Sequence, residues 1–334
     1  MSCRIAWTRA YTSNMTRIAV TGATGFVGSN IAELLHNRGH DVVGLVRRQP
    51  DVETPWTALQ VDFDQPSDIV AKLGQVDAIV HCAIANDFHM LMNDSAKAFD
   101  AYVGLTSRVA QAANQLGAHM VYISTDWILD GTRHLTAETE YGNPINIYGF
   151  LKAMGEQVVR DLCPTSGAIC RIGGVMGAHR LYAQGPRSQD VGFGYFVSAL
   201  VNTLRKGEQF AVWGGPFVNE VATPSLAAEI AAQVERVIQI KAVGQFHLVG
   251  DDAVGRMELA RLACEVFELD AALLSEIDAP EDQRFPQGVP VDTSLSNALT
   301  KQALRLGPTP LRELLKVFRQ EMESGEITAL TAPL

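Results

Sequence analysis

The chain has 334 residues, 47% of them hydrophobic and 19% charged, with a formal net charge of −10. This is the composition of a soluble globular protein with material for about two domains, and the acidic balance argues against nucleic acid or an anionic membrane as a partner. No apolar run approaches the roughly 18 residues needed to cross a bilayer, and five scattered cysteines (Cys3, Cys82, Cys163, Cys170, Cys264) with no C-x-x-C pair read as structural thiols in a reducing cytoplasm.

Residues 1–15 lack the apolar core of a secretory signal and read as a loosely ordered extension. From there, short β-branched runs alternate with amphipathic stretches. The spacing predicts a strand over 17–21 (RIAVT) and a helix over 26–37, with Val27, Ile31, Leu34 and Leu35 along one face. Further strands are expected at 42–46, near 61, at 78–81, 120–124 and 169–172, with long helices over 96–116 and 146–162. This βαβα order predicts an α/β protein of the Rossmann type, a doubly wound parallel sheet with helices on both faces and ligands at the carboxyl ends of its strands. After residue 172 the alternation lapses, apart from a returning strand at 246–249 (FHLV). The expected division is a dinucleotide domain over 16–173 plus about 215–250, and a smaller substrate lobe over 174–214 and 251–334.

The first strand runs into TGATGFVG, with Gly22, Gly25 and Gly28 and, between them, Thr24, Phe26 and Val27. Glycines spaced in this way, between a strand and a helix, let backbone N–H groups approach a pyrophosphate at the helix N-terminus. An NAD site usually carries an acid about 20 residues further on. This chain has Arg47 and Arg48 there, which suit a 2′-phosphate, so NADP is expected over NAD. Asp62 and Phe63, after the third strand, are candidates for the adenine edge.

The strand at 120–124 leads into Ser124, Thr125, Asp126 and Trp127, hydroxyls and an acid where a strand would usually meet a turn residue. Two dozen residues later come Tyr148 and Lys152, four apart on one helix face. A tyrosine is a poor acid or base near neutral pH, and a neighbouring ammonium lowers its pKa. The glycine loop, the strand-end Ser-Thr-Asp and Y-x-x-x-K in this order resemble the extended short-chain dehydrogenase/reductases. Within them, STDWILDG followed by NPINIYGFLKAMGE is similar to the dTDP-4-dehydrorhamnose reductases. The resemblance implies Thr125 as the hydroxyl on a substrate carbonyl, Tyr148 as proton donor and Lys152 as its partner. It also implies a backbone contact to the cofactor around Cys82, Ala83 and Ile84, a small-molecule substrate in the form of a nucleotide sugar, and a homodimer.

Related dehydratases follow the threonine with Asp-Glu. Here Asp126 is followed by Trp127, which disfavours dehydration and makes both residues candidates for substrate contact. Arg180 and Arg187 are candidates for a substrate diphosphate. Other positions depart from the reductase pattern. Arg171-Ile172-Gly173-Gly174 stands in place of Arg-Thr-Ser-Trp, and residues 101–103 lack the expected asparagine. These departures leave open an epimerase using the same site, and a cofactor-binding regulatory subunit like that of methionine adenosyltransferase. His81 and Cys82 invite a metal or nucleophile, but the eight histidines show no paired-ligand spacing, so no catalytic metal is expected.

Overall fold

The structure is a computed structural model; it describes residues 15–333 apart from 86 and 183–188. Seven strands form one parallel sheet: β1 (Arg17–Thr21), β2 (Asp41–Val46), β3 (Thr57–Gln60), β4 (Ala78–His81), β5 (His119–Thr125), β6 (Gly167–Ile172) and β7 (Gly244–His247). Their order across the sheet is β7-β6-β5-β4-β1-β2-β3. Chain order reverses between β1 and β4. The crevice at that reversal, above the carboxyl ends, is where doubly wound sheets bind ligands. β4 and β5 are buried along their whole length, which explains their unbroken apolar runs, because helices cover both faces of a parallel sheet.

Helix α1 (Phe26–Asn37) packs on one face against α5 (Ala227–Gln239), whose residues 227–238 are all buried. Its two glutamates are buried with partners. Glu229 accepts the backbone N–H groups of Leu330 and Thr331 at 2.8 and 3.1 Å, and Glu235 takes Arg38 and His40. The opposite face carries α2 (Pro66–Leu73), α3 (Leu105–Leu116) and α4 (Ile147–Leu162).

The helix expected as continuous over 96–116 is interrupted. An α-helical turn at Ser95–Phe99 passes through a π-helical turn at Asp100–Gly104 before α3 begins. Gly104 has no side chain to obstruct a bridge along the helix, and Arg108 reaches past it to Asp100 at 2.7 Å. Beyond β6, the strand pair Phe210–Gly214 and Leu274–Asp278 and the helix Arg256–Phe267 build the remaining region. Residues 292–295 are stitched along the cleft by Thr293 N–H to the Val221 carbonyl (2.8 Å), Leu295 N–H to Thr223 Oγ1 (3.1 Å) and Thr136 N–H to the Ser294 carbonyl (2.9 Å).

Candidate active site

The glycine turn is shaped by contact between backbones. Gly22 has φ +67°, and a Cβ there would lie 2.8 Å from the Ala83 nitrogen. A Cβ on Gly28 would collide with the Gly22 carbonyl. These two positions need glycine, one for its left-handed φ and both for the close approach. Gly25 N–H closes the turn on the Gly22 carbonyl at 2.9 Å. α1 then starts with no capping side chain and no acid in its first turn. Its first N–H groups and the positive end of its dipole are left for an anion, so this cradle fits a dinucleotide diphosphate.

Past the ends of β2 and β3, Arg47, Asp62 and Phe63 line a second hollow together with Asp64 and Lys72. Arg48 is exposed and is not part of that lining. On the other side of the glycine turn, Phe26, Val27, Cys82 and Ile84 line a cavity of about 640 Å³. Thr125, Asp126, Trp127, Tyr148 and Lys152 line the same cavity, which has the size of a small-molecule site.

Local structure explains how the last five meet. β5 ends at Thr125, and the 3₁₀ turn Asp126–Ile128 begins with the Thr125 hydroxyl accepting the Trp127 N–H at 3.3 Å. Asn146 caps α4 by accepting the Gly149 N–H at 2.9 Å, which fixes where the helix starts and so where Tyr148 lies. The half-buried Tyr148 ring meets Trp127 and Tyr102 edge to face, with centroids 6.1 and 6.2 Å away. Burial pushes its phenol up to about 12, against the effect of a hydrogen bond with the Thr125 hydroxyl, while Asp126 adds to the rise. The expected lowering by a neighbouring ammonium is not what dominates. Lys152 is buried, donates to the Ile123 carbonyl at 2.6 Å and sits 4.2 Å over the Tyr122 ring. Burial lowers it to about 7.

Asp126 is buried as well. Its carboxylate accepts from the hydroxyls of Thr125 (3.0 Å) and Thr293 (2.5 Å), yet burial raises it to about 6. Gly173 faces it closely, since a Cβ there would be 2.7 Å from Asp126 Oδ2. Gly173 stands where the reductase pattern has serine and leaves space that the carboxylate uses, whereas Gly174, at the position of the pattern's tryptophan, faces Pro224.

With this geometry in view, the comparisons become informative. The family model for the RmlD substrate binding domain matches residues 15–324. The chain belongs to that family. Among curated relatives, it is 29% identical over 270 residues to a probable low-salt glycan biosynthesis reductase of Haloferax volcanii, covering 78% of this chain and 85% of that protein. It is 26% identical over 312 residues to a dTDP-4-keto-6-deoxy-D-glucose reductase of Streptomyces niveus, covering 91% and 96%. Its fold is similar to the crystal structure of a Bacillus anthracis dTDP-4-dehydrorhamnose reductase in complex with NADP, with a TM-score of 0.75, 21% identity and coverage of 92% and 99%.

Two candidates for the substrate diphosphate stand differently in this RmlD-family fold. Arg180 is a correction: its guanidinium pairs with Glu33 of α1 at 2.6 Å and with Glu321 of α6 (Leu311–Ser324) at 3.3 Å, and donates to the Gly325 carbonyl. Two carboxylates hold it between helices, away from the cavity lining. Arg187 lies outside the described residues. Sequence reasoning missed Asp190, Tyr195, Asn219, Arg284 and Phe285 on the far wall, and Thr293 behind Asp126. These residues are scattered between 190 and 293 with no common spacing that could have found them.

Proposed function

We propose that the protein is an NADP-dependent reductase that reduces a keto group on a nucleotide-activated sugar. The observation that carries this is the convergence of Thr125, Tyr148 and Lys152 on one cavity beside the glycine turn. When bound, the dinucleotide supplies the hydride; the chain's own groups hold the reactants and handle the proton.

The glycine turn and the uncapped start of α1 hold the diphosphate, and Arg47 is the group available for a 2′-phosphate. The Thr125 hydroxyl and the Tyr148 phenol grip the substrate's carbonyl oxygen. A phenol held near 12 remains protonated at neutral pH. It is therefore in the form that donates to an oxygen gaining negative charge. Lys152, one helical turn on and lowered to about 7, in its protonated form provides the positive charge that steadies the phenolate left behind. Trp127 and Phe285, in edge-to-face contact at 5.9 Å, and the Asp126 carboxylate form the part of the wall that meets the sugar.

A thermal-shift panel tests the reading, because a ligand that binds only the folded chain raises its apparent stability. NADP is expected to shift the transition more than NAD, and a dTDP- or UDP-sugar is expected to add to that shift. A panel in which no dinucleotide moves the transition rejects the reading. Turnover with cofactor retained and no net NADPH consumption would instead identify an epimerase.

A further inference from the structure

β4 ends on a histidine that the reaction does not use. His81 is 1% exposed, and both ring nitrogens are occupied by hydroxyls, Nδ1 at 2.7 Å from Thr21 Oγ1 and Nε2 at 3.1 Å from Thr106 Oγ1. These contacts leave no lone pair for a metal, and they fix the ring's protonation by elimination. Thr106 gives its one hydroxyl proton to the Tyr102 carbonyl at 2.7 Å, so towards the ring it can only accept. Nε2 therefore carries the hydrogen. Nδ1 is bare and accepts from Thr21, whose oxygen in turn accepts the Ala83 N–H at 3.2 Å.

The chain of bonds crosses three elements that meet at the cofactor side of the sheet. Thr21 is the last residue of β1 and directly precedes Gly22. Ala83 follows β4 and is the backbone against which Gly22 packs. Thr106 lies in the first turn of α3, just after the π-helical turn, and the His81 ring itself lies 5.7 Å from the ring of Tyr122, which sits under the Lys152 ammonium. One end of the chain thus sets the gap between the glycine turn and residues 82–84, and the other is anchored on α3.

Resting on the functional reading above, we infer that His81 is a positioning residue for the dinucleotide: as a neutral Nε2–H imidazole it holds the glycine turn, the end of β4 and α3 in the register that binds the cofactor. An apolar side chain at this position would leave two buried hydroxyls short of a partner. The backbone segments they tether would lose their fixed spacing.

The test pairs a spectroscopic readout with binding. Imidazole ¹⁵N NMR of the full chain at neutral pH is expected to show Nε2 protonated and Nδ1 bare for His81; the reverse tautomer overturns the inference. The dissociation constant for NADP is then measured for wild type, His81→Leu, Thr21→Val and Thr106→Val, with thermal melting alongside. Each variant is expected to bind about tenfold more weakly, while kcat at saturating cofactor stays within about threefold. The double variant Thr21→Val/Thr106→Val is expected to be no worse than its weaker-binding parent, because either change already breaks the chain. The two valine variants are near-isosteric and carry the test if His81→Leu does not fold. Variants that melt earlier but bind NADP like wild type overturn the inference alone, whereas a wild type that binds no dinucleotide overturns it together with the reading beneath it.

Discussion

Ser124 and Thr125 are neighbours on one strand, and they face two different chemistries. Behind the strand, Ser124 donates to Glu156 at 2.7 Å, and Glu156 is gripped by Arg171 through two bonds of 2.9 Å and by Arg160 at 2.9 Å. In front of it, Thr125 meets Asp126 and Tyr148, and among the described residues no guanidinium pairs with the Asp126 carboxylate. Both carboxyls are buried, and burial pushes both upward. At Glu156 the Arg171 guanidinium, with Ser124 and Arg160, outweighs burial and holds the carboxyl below its usual range. At Asp126 only hydroxyl and backbone donors oppose burial, and the group stands at about 6. The lesson is that a charged partner, not depth, decides which carboxyl is held ionised and which is left adjustable in the cavity.

The largest break in this contrast is expected on the cleft side. Tyr148→Phe removes the proposed proton donor without changing the packing shape, and kcat should fall by about 10²- to 10⁴-fold with thermal melting nearly unchanged. Arg171→Met acts on the closed side. It leaves Glu156 buried without its main cation, and urea unfolding should show a loss of about 3–5 kcal/mol.

A smaller effect has a sign that separates the two carboxyls. The folded value of Asp126 is raised from 3.8 to about 6, so its contribution to stability is present below about 3.8 and is lost as pH rises through about 6. The unfolding free energy of wild type minus that of Asp126→Asn should therefore decline across this window; a flat or rising difference would show that Asp126 is not the raised group. The smallest effect belongs to the helix start. Asn146→Ala removes the cap of α4 and should cost about 1 kcal/mol, with a modest loss of turnover because Tyr148 sits in that first turn.

The glycine turn and the parallel sheet were legible because their requirements are local. A turn that brings backbone against backbone must be glycine at Gly22 and Gly28, and a parallel strand buried on both faces must read as an apolar run. Tyr148 and Lys152 were legible because one helix carries both. The far wall of the cavity was not, because it is assembled from Asp190, Asn219 and Arg284 with Thr293 behind Asp126, residues that share no period and meet only through the tertiary fold. Arg180 shows the same limit from the other side. In sequence it is an arginine in a polar loop, and only the positions of Glu33 and Glu321 reveal an interhelical tie. The π-helical turn at Asp100–Gly104 was hidden too, since one inserted residue hardly alters an amphipathic pattern.

The most direct test of the proposed chemistry is NADPH absorbance in a single mixing experiment, with purified protein and a nucleotide-activated 4-keto sugar. The account predicts NADPH loss that is stoichiometric with the keto sugar added and absent without it. NADPH bound by the protein yet left unoxidised across dTDP- and UDP-linked keto sugars would contradict it.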